Sequence, residues 1–123
     1  MDAAVRAAAI AEIARQLNFV EAALDEAGPF AAGQELSTGD AALFPTFCFY
    51  TFILPRVFGW KDVFAGRPKL ARWWAALCGD TDAAEVRQGI TSALEQWEAD
   101  GRWKKLGIEE QVADPNSTFV WAY

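Results

Sequence analysis

The sequence predicts an all-α fold, a helical bundle of about four main helices around a buried central helix at 38–54. Three observations predict it. Apolar residues recur at spacings of three and four along most of the chain, which is the period of a helix and not of a strand. Start and stop signals bracket those stripes: Ser37 with Asp40, Pro68, and Asp82 with Glu85 as starts, Gly28, Gly79 and Gly101 as stops. The stretch that is apolar nearly all round, "ALFPTFCFYTFIL", lies between them, and a helix without a polar face belongs at the centre of a bundle.

Ile10, Ile13, Leu17, Val20 and Leu24 form the stripe of a long first helix, with Arg6, Glu12, Arg15, Glu21 and Asp25 largely outside it. It is expected to end near Ala27, because Gly28 is a good left-handed stop and Pro29 cannot continue a helix. "GPFAAGQEL" is then a loop. The second helix starts after Ser37, whose hydroxyl can accept from the Asp40 N–H while the Asp40 carboxylate reaches back, a capping box worth about 1 kcal/mol. The carboxylate also meets the positive end of the helix dipole. Leu36 is placed to staple onto Ala41. From Thr38 into the low fifties this helix carries Leu43, Phe44, Phe47, Phe49, Tyr50, Phe52, Ile53 and Leu54, and Pro45 predicts a bend. A strand at 47–54 is the competing reading, since Phe and Tyr suit strands. Residues 55–67 read as an irregular connection with aromatic anchors. Pro68 opens a third helix with Leu70, Trp73, Trp74 and Leu77 on its apolar face. Asp82 and Glu85 cap a fourth, striped by Val86, Ile90, Ala93, Leu94 and Trp97 and ended by Asp100 and Gly101. A short helical turn through Trp103 and Leu106 precedes an extended tail, 114–123, with Phe119, Trp121 and Tyr123.

At 123 residues the chain reads as a single domain, 1–123, long enough to bury one core. Eleven Lys and Arg against seventeen Asp and Glu give a net charge of −6, without a basic block, so nucleic acid and anionic membrane are poor partners. The absence of histidine removes the commonest general base and the usual zinc ligand, and no metal site is expected. Cys48 and Cys78 lie among apolar residues and read as buried thiols of an intracellular, reducing compartment, the cytoplasm first. The acids near the amino terminus argue against a secretory leader, and the apolar run is too short and too proline-interrupted to span a membrane. No base stands near Ser37 in sequence to make it a nucleophile, so no catalytic residue is assigned.

The order "GPFAAGQELSTGDAALFP" resembles the segment of cytosolic glutathione transferases, in their C-terminal all-helical domain, that commonly reads like PFLAGDELSLADIALFP. Phe30, Gly33, Leu36, Ser37, Asp40 and Pro45 match it without a gap, and "RPKLARWWAAL" resembles the family's next helix. The resemblance covers about residues 10–100. It implies that Ser37 and Asp40 are a structural cap at the head of the buried central helix. Ala31, Gln34, Thr38 and Gly39 stand where the family usually has Leu, Asp, Leu and Ala. Glutathione transferases are two-domain proteins in which a thioredoxin-like N-terminal domain binds glutathione and activates its thiol; this chain has no room for that domain. By the same comparison it begins at the second long helix of the helical domain. The resemblance thus implies no cofactor for this chain, glutathione entering only if a thioredoxin-like domain is supplied.

Aromatic residues make up 14% of the chain, more than four stripes need. Trp73 and Trp97 fall on stripes and are expected in the core, whereas Trp60, Trp74, Trp103 and Trp121 cannot all be buried without partners for their indole N–H groups. Arg56, Trp60, Trp74, Trp121 and Tyr123 are therefore the candidate interface or ligand groove, in the 55–67 connection and the 115–123 tail above all. Arg56, Lys61, Arg67, Lys69, Arg72, Lys104 and Lys105 read as a solvated rim, with an acidic ligand or protein patch as the functional alternative. The function read from this is a stand-alone binding or assembly module with a protein partner or a second copy. The alternatives are the hydrophobic-substrate half of a glutathione transferase completed by another chain, and a structural subunit of a larger complex.

Overall fold

A computed structural model describes residues 1–116, which form six helices and, among the described residues, no strand. The first, α1, spans Ala3–Ala23; α2 spans Thr38–Val57, α3 Pro68–Cys78, α4 Thr81–Ala99, α5 Arg102–Lys105 and α6 Ile108–Ala113. Asp2 caps α1, its Oδ1 accepting from the Ala4 N–H at 2.9 Å. Ile10, Leu17 and Leu24 of the first stripe are buried, together with Ala14, and Ile13 and Val20 pack against them. The helix stops at Ala23 and not near Ala27: Leu24 is extended, and its buried side chain is the last of the stripe.

α2 is the centre of the bundle, with Phe44, Phe47, Cys48, Phe52 and Leu54 buried. The strand alternative at 47–54 is overturned, because the helix runs unbroken through Pro45 and on to Val57. Leu36 does not close a staple: it stays 50% exposed and Ala41 beside it is exposed too. Pro68 is the first residue of α3 and Gly79 its C-cap, both as read from sequence. The cap of α4 is Asp80, not Asp82, its Oδ1 accepting from the Ala83 N–H at 2.9 Å.

Of the α4 stripe only Leu94 is buried; Val86 is 48% and Trp97 36% exposed. This helix packs on α2, α3 and α5, and the expected core position of Trp97 is corrected to a half-covered one, against Trp103 and Arg102. α6 has no counterpart in the sequence reading. It is held by Arg6, which donates to Gln111 and to the Leu106 carbonyl, and Gln111 in turn donates to the Met1 carbonyl at 2.8 Å. Residues 117–123 of the expected tail, with Trp121 and Tyr123, lie outside the described residues. No described helix is long and apolar enough to cross a membrane.

Candidate docking surface

Asp40 is the most heavily bonded side chain of the chain's middle, and its position explains its role. It is 1% exposed. Oδ1 accepts from the Ala31 N–H at 2.8 Å and from the Trp73 indole N–H at 2.7 Å. Oδ2 accepts from the Ser37 N–H at 2.8 Å and from the Ser37 hydroxyl at 2.9 Å. Ser37 and Asp40 thus form the capping box, with the Ser37 hydroxyl also donating to the carboxylate. Burial alone pushes this carboxyl up; the bonds from Ala31, Trp73 and Ser37 outweigh it and hold the group below its ordinary value of 3.8. A carboxylate offers about four lone-pair sites. All are engaged, so Asp40 has none left with which to move a substrate proton.

Several other ionisable and nucleophilic groups are likewise committed to the fold. Burial pushes the Cys48 thiol up to about 11 and raises the half-buried Cys78 thiol as well, against a neighbouring Arg87 that lowers both, so neither offers a thiolate near neutrality. Lys69 donates to the Leu24 carbonyl at 2.9 Å and pairs with Glu26 at 3.1 Å, and Arg72 donates to the Asp25 and Glu26 carbonyls. These two cations serve the segment that leaves α1. Arg67 is 3% exposed and donates to Asn18 Oδ1 at 2.9 Å and to the Val63 carbonyl at 3.0 Å. Arg56 is exposed, lies 4.2 Å from the Phe52 ring centroid and pairs with Glu98 at 3.1 Å. The basic stretch is therefore mostly internal wiring, which leaves little of the acidic-ligand patch.

Of the candidate aromatic residues, Trp60 and Trp74 are among the described residues. Trp60 is 2% exposed, a correction of its expected surface position: its backbone N–H donates to the Leu54 carbonyl at 3.0 Å, which turns the chain back at the end of α2. Trp103 is buried as well, at 7%, and packs edge-on against Trp97. Trp74 is half-buried, stacked on Phe64 and 5.3 Å from Phe44, with the Arg87 guanidinium over its ring. Neither Trp60 nor Trp74 meets Arg56 in a hydrogen bond, ion pair or ring contact.

The open apolar surface lies instead at the head of α2. A cavity of about 290 Å³ opens there, between the α2 start, the end of α3 and the start of α4. Leu36, Ala41, Phe44, Pro45, Leu77, Ala83 and Val86 line it, Asp40 and Ser37 lie at its edge, and Asp80 and Asp82 are the other polar residues there. No Lys or Arg lines it. Sequence reasoning placed Leu36 and Val86 on apolar contacts of their own helices; that both are half exposed is the signal a partner-less stripe leaves in the fold. Residues 3–76, more than half of the chain, match the family described as glutathione S-transferase, C-terminal domain. The chain belongs to this family. Comparisons with curated proteins and with solved structures give no match. In this glutathione S-transferase C-terminal domain the cap at the head of the central helix and the groove share one location, with Asp40 as the buried support of the groove's edge. Among the described residues no group of three or more His, Cys, Asp or Glu side chains is placed to hold a metal ion.

Proposed function

We infer that this glutathione S-transferase C-terminal domain is a protein-binding or assembly module without catalysis or a cofactor of its own. The observation that carries the reading is the groove at the head of α2, where half-exposed Leu36 and Val86 flank an apolar, open cavity whose lining has no thiol and no Lys or Arg, its ionisable groups being Asp40 and Asp80, both bonded within the fold, and Asp82. Such a surface can exclude water around an apolar side chain, which is how binding hot spots work, but it has nothing to activate a thiol. The two free thiols fit a reducing intracellular compartment. The second reading, a hydrophobic-substrate half awaiting a thioredoxin-like half, draws on the same apolar lining, whose volume borders on that of small-ligand sites.

The test is quantitative capture from the source extract on immobilised wild type and Leu36→Asp, with circular dichroism to confirm that the exposed substitution leaves the helices intact. Partners held by the wild type and lost on the variant are the expected result. Identical captured sets would move docking away from the groove. A thioredoxin-like chain among the specifically lost partners would favour the second reading.

A further inference from the structure

The groove carries a charge signature, and the chain carries its complement. Asp80 and Asp82 stand at the groove, at the start of α4, with no cation among the lining residues. Pro45 has no N–H to give the Ala41 carbonyl, and both residues line the groove, so its wall adds a backbone acceptor that lacks its usual helical donor. Just past the other end of α4, three of the four residues of α5 are basic: Arg102, Lys104 and Lys105. Leu106 follows them and is 47% exposed. The Lys104 side chain makes no hydrogen bond or ion pair among the described residues, and Arg102 lies over the half-exposed Trp97 at 4.4 Å. An apolar knob flanked by Arg102 and Lys105, with Asp100 beside them, is thus presented to solvent on a chain whose groove is apolar and edged by acids.

The two surfaces cannot meet within one molecule, because α4 is 19 residues long and separates them by about 28 Å. We propose that the groove of one molecule takes Leu106 and the Arg102–Lys105 turn of a second copy, so that the chain associates head to tail. This rests on the binding reading above and names its partner. The joint uses different patches on the two molecules, so it leaves one free groove and one free knob at the ends of every pair, and assembly continues unless the rotation closes a ring.

Sedimentation of wild type across a wide concentration range is expected to show growth beyond a dimer, weakened by added salt. Leu106→Asp keeps the groove and loses the knob; Val86→Asp keeps the knob and loses the groove. Both substitutions are at half-exposed positions, and each is expected to weaken self-association by roughly tenfold or more. Mixed together they retain one intact joint and are expected to form a one-to-one pair that grows no further. Should either variant unfold, the charge swap gives the same answer: Asp82→Lys and Lys104→Glu each weaken association, and their mixture in one chain restores it. A wild type that stays monomeric at every concentration overturns the proposal, as does a closed dimer indifferent to both substitutions. So does a groove that binds only a foreign basic peptide. A monomeric wild type that still loses captured partners on Leu36→Asp would overturn the head-to-tail joint and leave the docking function standing.

Discussion

At the scale of single residues, Asp40 shows how one carboxylate can look chemical and be structural. Its removal strands the Trp73 indole N–H, the Ala31 N–H and the Ser37 N–H in surroundings where water does not reach them easily. Unpaired buried donors cost about 1–3 kcal/mol each before relaxation. Asp40→Ala is therefore expected to destabilise the fold by about 3 kcal/mol or more, well beyond a simple cap, while Ser37→Ala costs about 1 kcal/mol. Chemical denaturation of both, and of the double variant, checks this; a double variant less destabilised than the sum shows that the two side chains act as one unit. The lowered native value of Asp40 also fixes a pH dependence. Its contribution is fully present above the ordinary carboxylate value and is lost as pH falls through the lower native one, so stability declines from roughly pH 5 downward. Asp40→Asn should flatten that acid limb; an unchanged limb would assign it to other carboxylates. The Ser37–Asp40 spacing made the helix start legible, since capping is local. The bonds from Ala31 and Trp73 were not, because nothing in a linear pattern shows which indole a loop will deliver to a carboxylate 33 residues away.

At the scale of elements, the features missed are those in which one helix finishes another. The N-cap of α3 is Arg67, which makes no side-chain cap bond; instead Glu21 of α1 accepts from the Lys69 N–H at 3.1 Å and the Leu70 N–H at 2.7 Å. Glu21→Ala is expected to cost about 1–2 kcal/mol and to speed amide exchange first in α3. Exchange unchanged in that helix would show that solvent replaces Glu21 without cost. Gly28, read as a stop for α1, is required for another reason: a Cβ there would lie 2.8 Å from the Phe30 carbonyl oxygen and 3.1 Å from its nitrogen. Backbone cannot yield cheaply, so Gly28→Ala should lower the melting temperature, whereas Gly89→Ala, in open space on α4, should hold or raise it. The stripe of α1 and the Pro68 start were legible from period and proline. The end of α1 was not, because its exit segment is held by Lys69 and Arg72 of another helix. α6 escaped because six residues carrying Ile108 and Val112 are too few to show a period.

At the scale of the whole molecule, the tryptophan surplus that suggested a docking face is partly internal, while Trp121 lies outside the described residues. Trp60 and Trp103 went inside, since a connection that folds back on α2 and a turn that closes on α4 both present their rings inward. The apolar groove is instead lined by ordinary aliphatic positions, Leu36 and Val86, each about half exposed. Our proposal that this domain binds without transforming what it binds draws its support from the fully bonded Asp40 and the raised thiols of Cys48 and Cys78. The measurement that tests this most directly is the rate at which the pure 123-residue chain conjugates glutathione to a chromogenic electrophile, followed against protein and electrophile concentration. The account predicts no rate above the uncatalysed reaction at any concentration; a saturable rate that grows in proportion to the protein, and survives repurification, would contradict it.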